Sequence, residues 1–166
     1  MKHVVVLMGL ALLSLGACKK DKPVVVGKNF ADYTFDDIKA QVGNFTSNLI
    51  TFNAPNTNFT AGSIIFFKTS LGNFGKMEVV SVDDNKMLTV NIVVYNASAN
   101  GSQLYQKNNF SIPANIYLSY DLDDSTVPET GNTDISKSDF TWGQSNSIYS
   151  LIPVDSNNAK AMLFKP

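Results

Sequence analysis

Ser63-Ile64-Ile65-Phe66-Phe67-Lys68-Thr69-Ser70-Leu71-Gly72-Asn73-Phe74-Gly75-Lys76-Met77-Glu78-Val79-Val80-Ser81-Val82 carries a strand-turn-strand pattern that points to an all-β chain. Ser63–Thr69 reads as a strand. Its four consecutive apolar residues need cover on both faces, which suits a central strand. Leu71–Gly75 turns the chain with two glycines and an asparagine. Lys76–Val82 is the next strand, and Asp83-Asp84-Asn85-Lys86 is a loop of turn-formers. Met87–Tyr95 follows, with Leu88, Val90, Ile92 and Val94 on one face and Thr89 and Asn91 on the other. Three closely joined strands of this kind predict an antiparallel meander.

The pattern extends in both directions. Upstream, Asn48–Phe52 is β-rich and Asn53–Asn58 has turn chemistry. Asn29–Gly43 is ambiguous. Tyr33-Thr34-Phe35 fits a strand, whereas Asp36–Val42 fits two helical turns with Asp at the start and Gly43 as the stop. Downstream, Asn96–Ser102 is a loop. Strands are expected at Phe110–Ile112, Ile116–Tyr120, Phe140–Trp142, Ile148–Ile152 and Ala159–Phe164, with a long polar connection over Asp121–Asp139. Short strands with regularly spaced turn signals predict an all-β domain over residues 29–166. The expected form is an antiparallel β-sandwich, with a β-barrel-like Greek key as the alternative.

The first residues are of another kind. Met1-Lys2-His3 is a short positive start, and Val4–Leu15 is an apolar run of twelve residues. That length suits a secretory signal and is too short for a finished transmembrane helix. Leu15-Gly16-Ala17-Cys18 resembles the lipobox of bacterial lipoproteins, whose cysteine is alkylated with diacylglycerol and becomes the new N-terminus. The resemblance implies a signal peptide over residues 1–17, lipidation at Cys18 and a membrane partner. Each buried methylene adds about 0.8 kcal/mol and one acyl chain holds only marginally, so two or three chains give lasting attachment. Cys18-Lys19-Lys20-Asp21-Lys22 resembles the start of lipoproteins from Bacteroidota-type bacteria, which implies an outer-membrane protein, periplasmic or surface-facing. Residues 18–28 read as the tether, though Val24-Val25-Val26 also fits a first strand. Gly62–Met77 resembles a K-T-S-x-G-x-(aromatic)-G-K hairpin of small β-rich lipoproteins from that group, often followed by D-L-D, here Asp121-Leu122-Asp123. The resemblance implies fold and origin and brings no activity.

Taking residues 1–17 from the 166 leaves 149, with 12 lysines against 14 acidic residues. This weak negative balance argues against nucleic acid, which needs clustered positive charge. The only histidine is His3, the only cysteine is Cys18, and there is no arginine. A body without imidazole or thiol lacks the base of Ser-His-Asp and Cys-His catalysis and the usual zinc ligands. A body without arginine lacks the bidentate fork for phosphate or carboxylate. The expectation is a protein that is not an enzyme, with carboxylate chemistry and hard-cation binding as what remains open.

Candidate sites are few. Lys68–Lys76 fails as a phosphate loop: two residues, not four, separate Gly72 from Gly75, and Met77 follows the lysine. Asp121, Asp123 and Asp124, with Glu129, Asn132 and Asp134 nearby, form an oxygen-rich stretch of the kind that wraps Ca²⁺. It is not an EF-hand, and a solvated acidic loop is the favoured explanation, with Ca²⁺ as the alternative. No motif sets two carboxylates across a sugar, as glycoside hydrolysis requires. Trp142, with Tyr95, Tyr105, Tyr117, Tyr120 and Tyr149, is a candidate platform for glycan stacking or else core material. Asp124-Ser125-Thr126 resembles the Asp-Ser/Thr-x glycosylation site of the same bacterial group. The leading expectation is an envelope module that binds a protein or glycan or serves in an assembly; the runner-up is a lectin-like or weakly glycan-active module.

Overall fold

The computed structural model describes residues 28–52, 60–124, 135–145 and 148–164. Residues 1–27, with the expected signal peptide, Cys18 and Val24–Val26, lie outside the described residues, as do the expected Asn53–Asn58 turn and Glu129, Asn132 and Asp134. Among the described residues nine strands form two antiparallel sheets: β1 (Ile50–Thr51), β2 (Ile64–Lys68), β3 (Phe74–Val82), β4 (Leu88–Asn96), β5 (Ser102–Ile112), β6 (Ser119–Tyr120), β7 (Phe140–Ser145), β8 (Ile148–Pro153) and β9 (Lys160–Phe164). One sheet runs β5-β4-β3-β2-β9 and the other β1-β8-β7-β6, with no closed barrel. This is the expected sandwich rather than the barrel-like alternative.

The apolar run of β2 has the cover its composition demands. It lies between β3 and β9, paired antiparallel to both. Ile65 and Phe67 enter the main core with Met77, Val79, Val90 and Ile92, opposite Phe140, Trp142 and Leu151 of the smaller sheet. Ile64 and Phe66 face the other way, where Tyr33, Ile38, Phe74 and Phe164 form a second cluster. A Cβ at Gly75 would fall inside the Phe67 ring and 2.8 Å from the Val93 carbonyl oxygen, so this hairpin position needs glycine.

The second cluster is roofed by residues 28–45, where the sequence was ambiguous. Tyr33-Thr34 is not a strand. Thr34 instead caps a short helix, α1 (Phe35–Ala40), in a capping box with Asp37. The Asp37 amide donates to Thr34 Oγ1 at 3.3 Å, and the Thr34 amide to Asp37 Oδ2 at 2.8 Å. Gly43 lies within a following 3₁₀ turn, Val42–Asn44, rather than ending the helix. Six helical residues are marginal alone, so packing and one buried lysine hold this strap. Lys76 of β3 is 2% exposed. Its ammonium donates to the backbone oxygens of Phe30 (2.6 Å), Ala31 (3.2 Å) and Tyr33 (2.7 Å) and lies 4.7 Å from the Phe30 ring centre. The lysine that superficially suggested a phosphate loop pins the strap to the sheet.

Two elements differ from the sequence expectation. β5 is one strand of eleven residues, of which the pattern marks only Phe110–Ile112. It is an edge strand, rich in exposed polar residues such as Gln103, Asn108 and Asn109, and register irregularities against β4 blunt it. Ile116–Leu118 is a turn rather than the start of a strand; Ile116 packs over Gly143, leaving only Ser119 and Tyr120 in β6.

Candidate functional site

The two motifs singled out in the sequence meet. Thr69–Asn73 is the turn between β2 and β3, Asp121–Asp123 leaves β6, and Asp139 enters β7. Leu122 is 1% exposed in the main core and anchors the middle of the D-L-D stretch. Asp123 Oδ2 accepts the Leu71 amide at 3.1 Å and the Ser70 hydroxyl at 3.4 Å, while Oδ1 accepts the Asn73 side-chain amide at 2.9 Å. Asp139, 3% exposed, accepts the Ser70 amide on Oδ1 and the Leu122 amide on Oδ2, both at 2.6 Å. Asp121 Oδ1 accepts the Asp123 amide at 2.9 Å. Asn73 Oδ1 takes the Ala97 amide at 3.0 Å, and the Tyr105 hydroxyl donates to the Leu122 carbonyl at 2.7 Å. The carboxylates satisfy turn amides that the strand ladders leave open, and in doing so fasten the β2–β3 turn of the larger sheet to the entry of β7 in the smaller.

Carboxylate oxygens of Asp121, Asp123 and Asp139 all lie within 4.8 Å of one another. The trio therefore differs from the expected Ca²⁺ set: Asp139 replaces Asp124, which is exposed and lines the adjoining cavity. Asp139 lies 16 residues beyond Asp123, past a long polar connection. Its position directly before the apolar Phe140 was its one local signal. Burial pushes the Asp139 carboxyl up to about 7, and the charge of Asp123 adds to this, against the lowering effect of the Ser70 and Leu122 amides. Burial also raises Asp121, with Asp123 and Asp124 contributing.

The arrangement has a pH signature. Because the folded-state pKa of Asp139 lies above its ordinary value of 3.8, the folded chain holds a proton that the unfolded chain has released. This contribution to stability is full below about pH 4 and is lost as pH rises through about 7. Asp139→Asn removes the titration and leaves one of two backbone amides facing a donor, at a cost of about 2 kcal/mol at pH 5. The gap to the parent is expected to narrow by at least about 1 kcal/mol at pH 8, measured by urea unfolding at both pH values. An unchanged gap would mean that Asp139 titrates normally. Three close carboxylates are also suitable chemistry for a hard cation. Since the turn amides already occupy them as acceptors, millimolar Ca²⁺ is expected to leave the melting temperature unmoved relative to an ionic-strength control; a saturable rise would assign a cation here.

A cavity of about 650 Å³ opens beside the cluster, lined by Ser70, Asp121, Asp123, Asp124, Lys137 and Asn157 among others. The aromatic candidates are not gathered there. Trp142 is fully buried, edge-on to Phe52 with ring centres 6.3 Å apart, and its indole N–H donates to the Lys86 carbonyl at 2.8 Å. It is core, and its ring is not presented as a stacking surface. Tyr120 is also fully buried, whereas Tyr117 is 80% exposed; the rings form no shared platform. Comparison with family models, with curated proteins and with solved structures finds no match to this chain.

Proposed function

We propose that this chain is a cell-envelope lipoprotein, anchored in the outer membrane through Cys18, whose β-sandwich is a non-catalytic binding or structural module. The observation that carries the reading is Leu15-Gly16-Ala17-Cys18 at the end of a twelve-residue apolar run. Two further features support it. Residues 19–166 hold no His, Cys or Arg, and the clustered carboxylates are engaged by the backbone of their own turns. Carboxylates used in this way secure loops rather than wait for substrate.

The test is Cys18→Ser in the native host, with fractionation and intact mass. The variant is expected to leave the membrane fraction and to lose the mass added by acyl chains; retention of both would end the reading. The runner-up, a carbohydrate-binding module, is favoured by one observation, the polar cavity of about 650 Å³ with Asp121, Asp123 and Asp124 on its wall, since concave sites with a few convergent polar groups suit small ligands. Crosslinking and pull-down from the native envelope separates the two, by whether a protein or a glycan is recovered.

A further inference from the structure

Beside the Ser70–Leu71 turn, two lysines are set directly against each other in the strand register. Lys68 closes β2 and Lys160 opens β9, and the antiparallel register pairs them. They share a face with Phe66 and Met162 of the next row, which join the strap-covered cluster. Like charges directly opposite on neighbouring strands destabilise a sheet. The register offers no relief. The other lateral neighbour of Lys68 is Phe74, and the nearest acidic residue on that face of β3, Glu78, is paired with Ile64 and accepts a bond from Asn91. Among the described residues neither lysine is bonded to a carboxylate. The pair borders a cavity of about 470 Å³ whose wall includes the polar Ser70 and Asn158 and the apolar Val42 and Phe45.

We infer that the Lys68–Lys160 pair and this cavity form a binding site for a phosphate-bearing ligand. Two lysines paired across neighbouring strands and lining one cavity supply the positive charge a phosphate needs, and lysine binds phosphate as a point charge without needing the arginine fork. The Ser70 and Leu71 amides are already given to Asp139 and Asp123, so the lysines, not the turn backbone, must hold the anion. The apolar wall from Val42 and Phe45 leaves room for the ligand's uncharged part. The site does not depend on acylation of Cys18. The phosphate source is either a soluble phosphate ester or a lipid headgroup, and the test separates them.

The full chain is reconstituted in discs of neutral phosphatidylcholine, and separately in discs that also contain phosphatidylglycerol, so that any anchor is satisfied alike in both. Inorganic phosphate is added to the neutral discs at fixed ionic strength. Acetylation of Lys68 and Lys160 is followed by mass spectrometry, and melting by circular dichroism. Phosphate is expected to slow acetylation of both lysines about fivefold once it exceeds its dissociation constant by roughly that factor, and to raise the melting temperature. Lys68→Gln with Lys160→Gln relieves the repulsion, so the double variant folds, and it should lose the phosphate-dependent rise. Protection with free phosphate in neutral discs assigns a soluble ester; protection only in the anionic discs assigns a headgroup. Absence of protection in both, or an equal effect from chloride, overturns the site.

Discussion

Trp142→Ala is expected to destabilise the domain by about 3–5 kcal/mol, the range for removing a large aromatic from a packed core. The residue has no exposed surface, and its side chain links the two halves of the sandwich. It sits on β7, tilted against Tyr149 of β8 with ring centres 6.0 Å apart, and its N–H reaches the carbonyl of Lys86 in the β3–β4 loop. Lys86 holds a positive φ of 64°, so the indole also steadies a strained turn of the other sheet. Trp142→Phe keeps most of the ring and loses the hydrogen bond, and should cost about 1–2 kcal/mol. Chemical denaturation of both variants checks the order. A Trp142→Ala protein as stable as the parent, with a lost ligand, would move Trp142 from core to binding surface.

The second large effect is expected at Lys76. Lys76→Ala removes the donor of three strap carbonyls and opens a space beneath Phe30, and should cost about 3 kcal/mol. Its damage should be local first: limited proteolysis is expected to cut within residues 28–45 before the sheets open. Lys76→Met restores volume without the ammonium. If the hydrogen bonds hold the strap, the Met variant remains less stable than the parent and as cleavable as the Ala variant. A Met variant as stable and protease-resistant as the parent would show that packing alone holds it. Burial lowers the pKa of this ammonium, opposed by the charges of Asp32, Asp37 and Glu78. That shift reflects the desolvation which the three carbonyls offset. The nearby Lys28–Asp37 ion pair at 2.9 Å is partly exposed and is expected to contribute far less.

The all-β class, the meander of β2, β3 and β4, and the need for cover on both faces of β2 were legible because alternation and turn chemistry are local signals. β5 was not, since an edge strand gains its identity from the neighbour it pairs with, and its own polar residues read as loop. The first helix was half legible. Asp36 marked its start to within a residue, but its choice over a strand at Tyr33–Phe35 rests on Tyr33 and Ile38 packing against β2 and β9. At the candidate site, Asp121 and Asp123 were visible as a motif and Asp139 was not, because a polar connection of unknown path lay between them. The Lys68–Lys160 pair was equally hidden: 91 residues separate two lysines that a strand register pairs.

The composition alone shows what the body has to work with: residues that alternate as strands, carboxylates and lysines but no imidazole after the third residue, and a lone thiol behind an apolar run. Which of these groups meet is a matter of how the strands pair and pack. Tertiary pairing turned the two hairpin and D-L-D motifs into a single hydrogen-bonded junction, spent one lysine on a strap and paired two others across neighbouring strands. The reason is physical. Backbone amides left open by a turn must find acceptors somewhere in the folded chain, and where they find them depends on sheet register, which no local run of residues encodes.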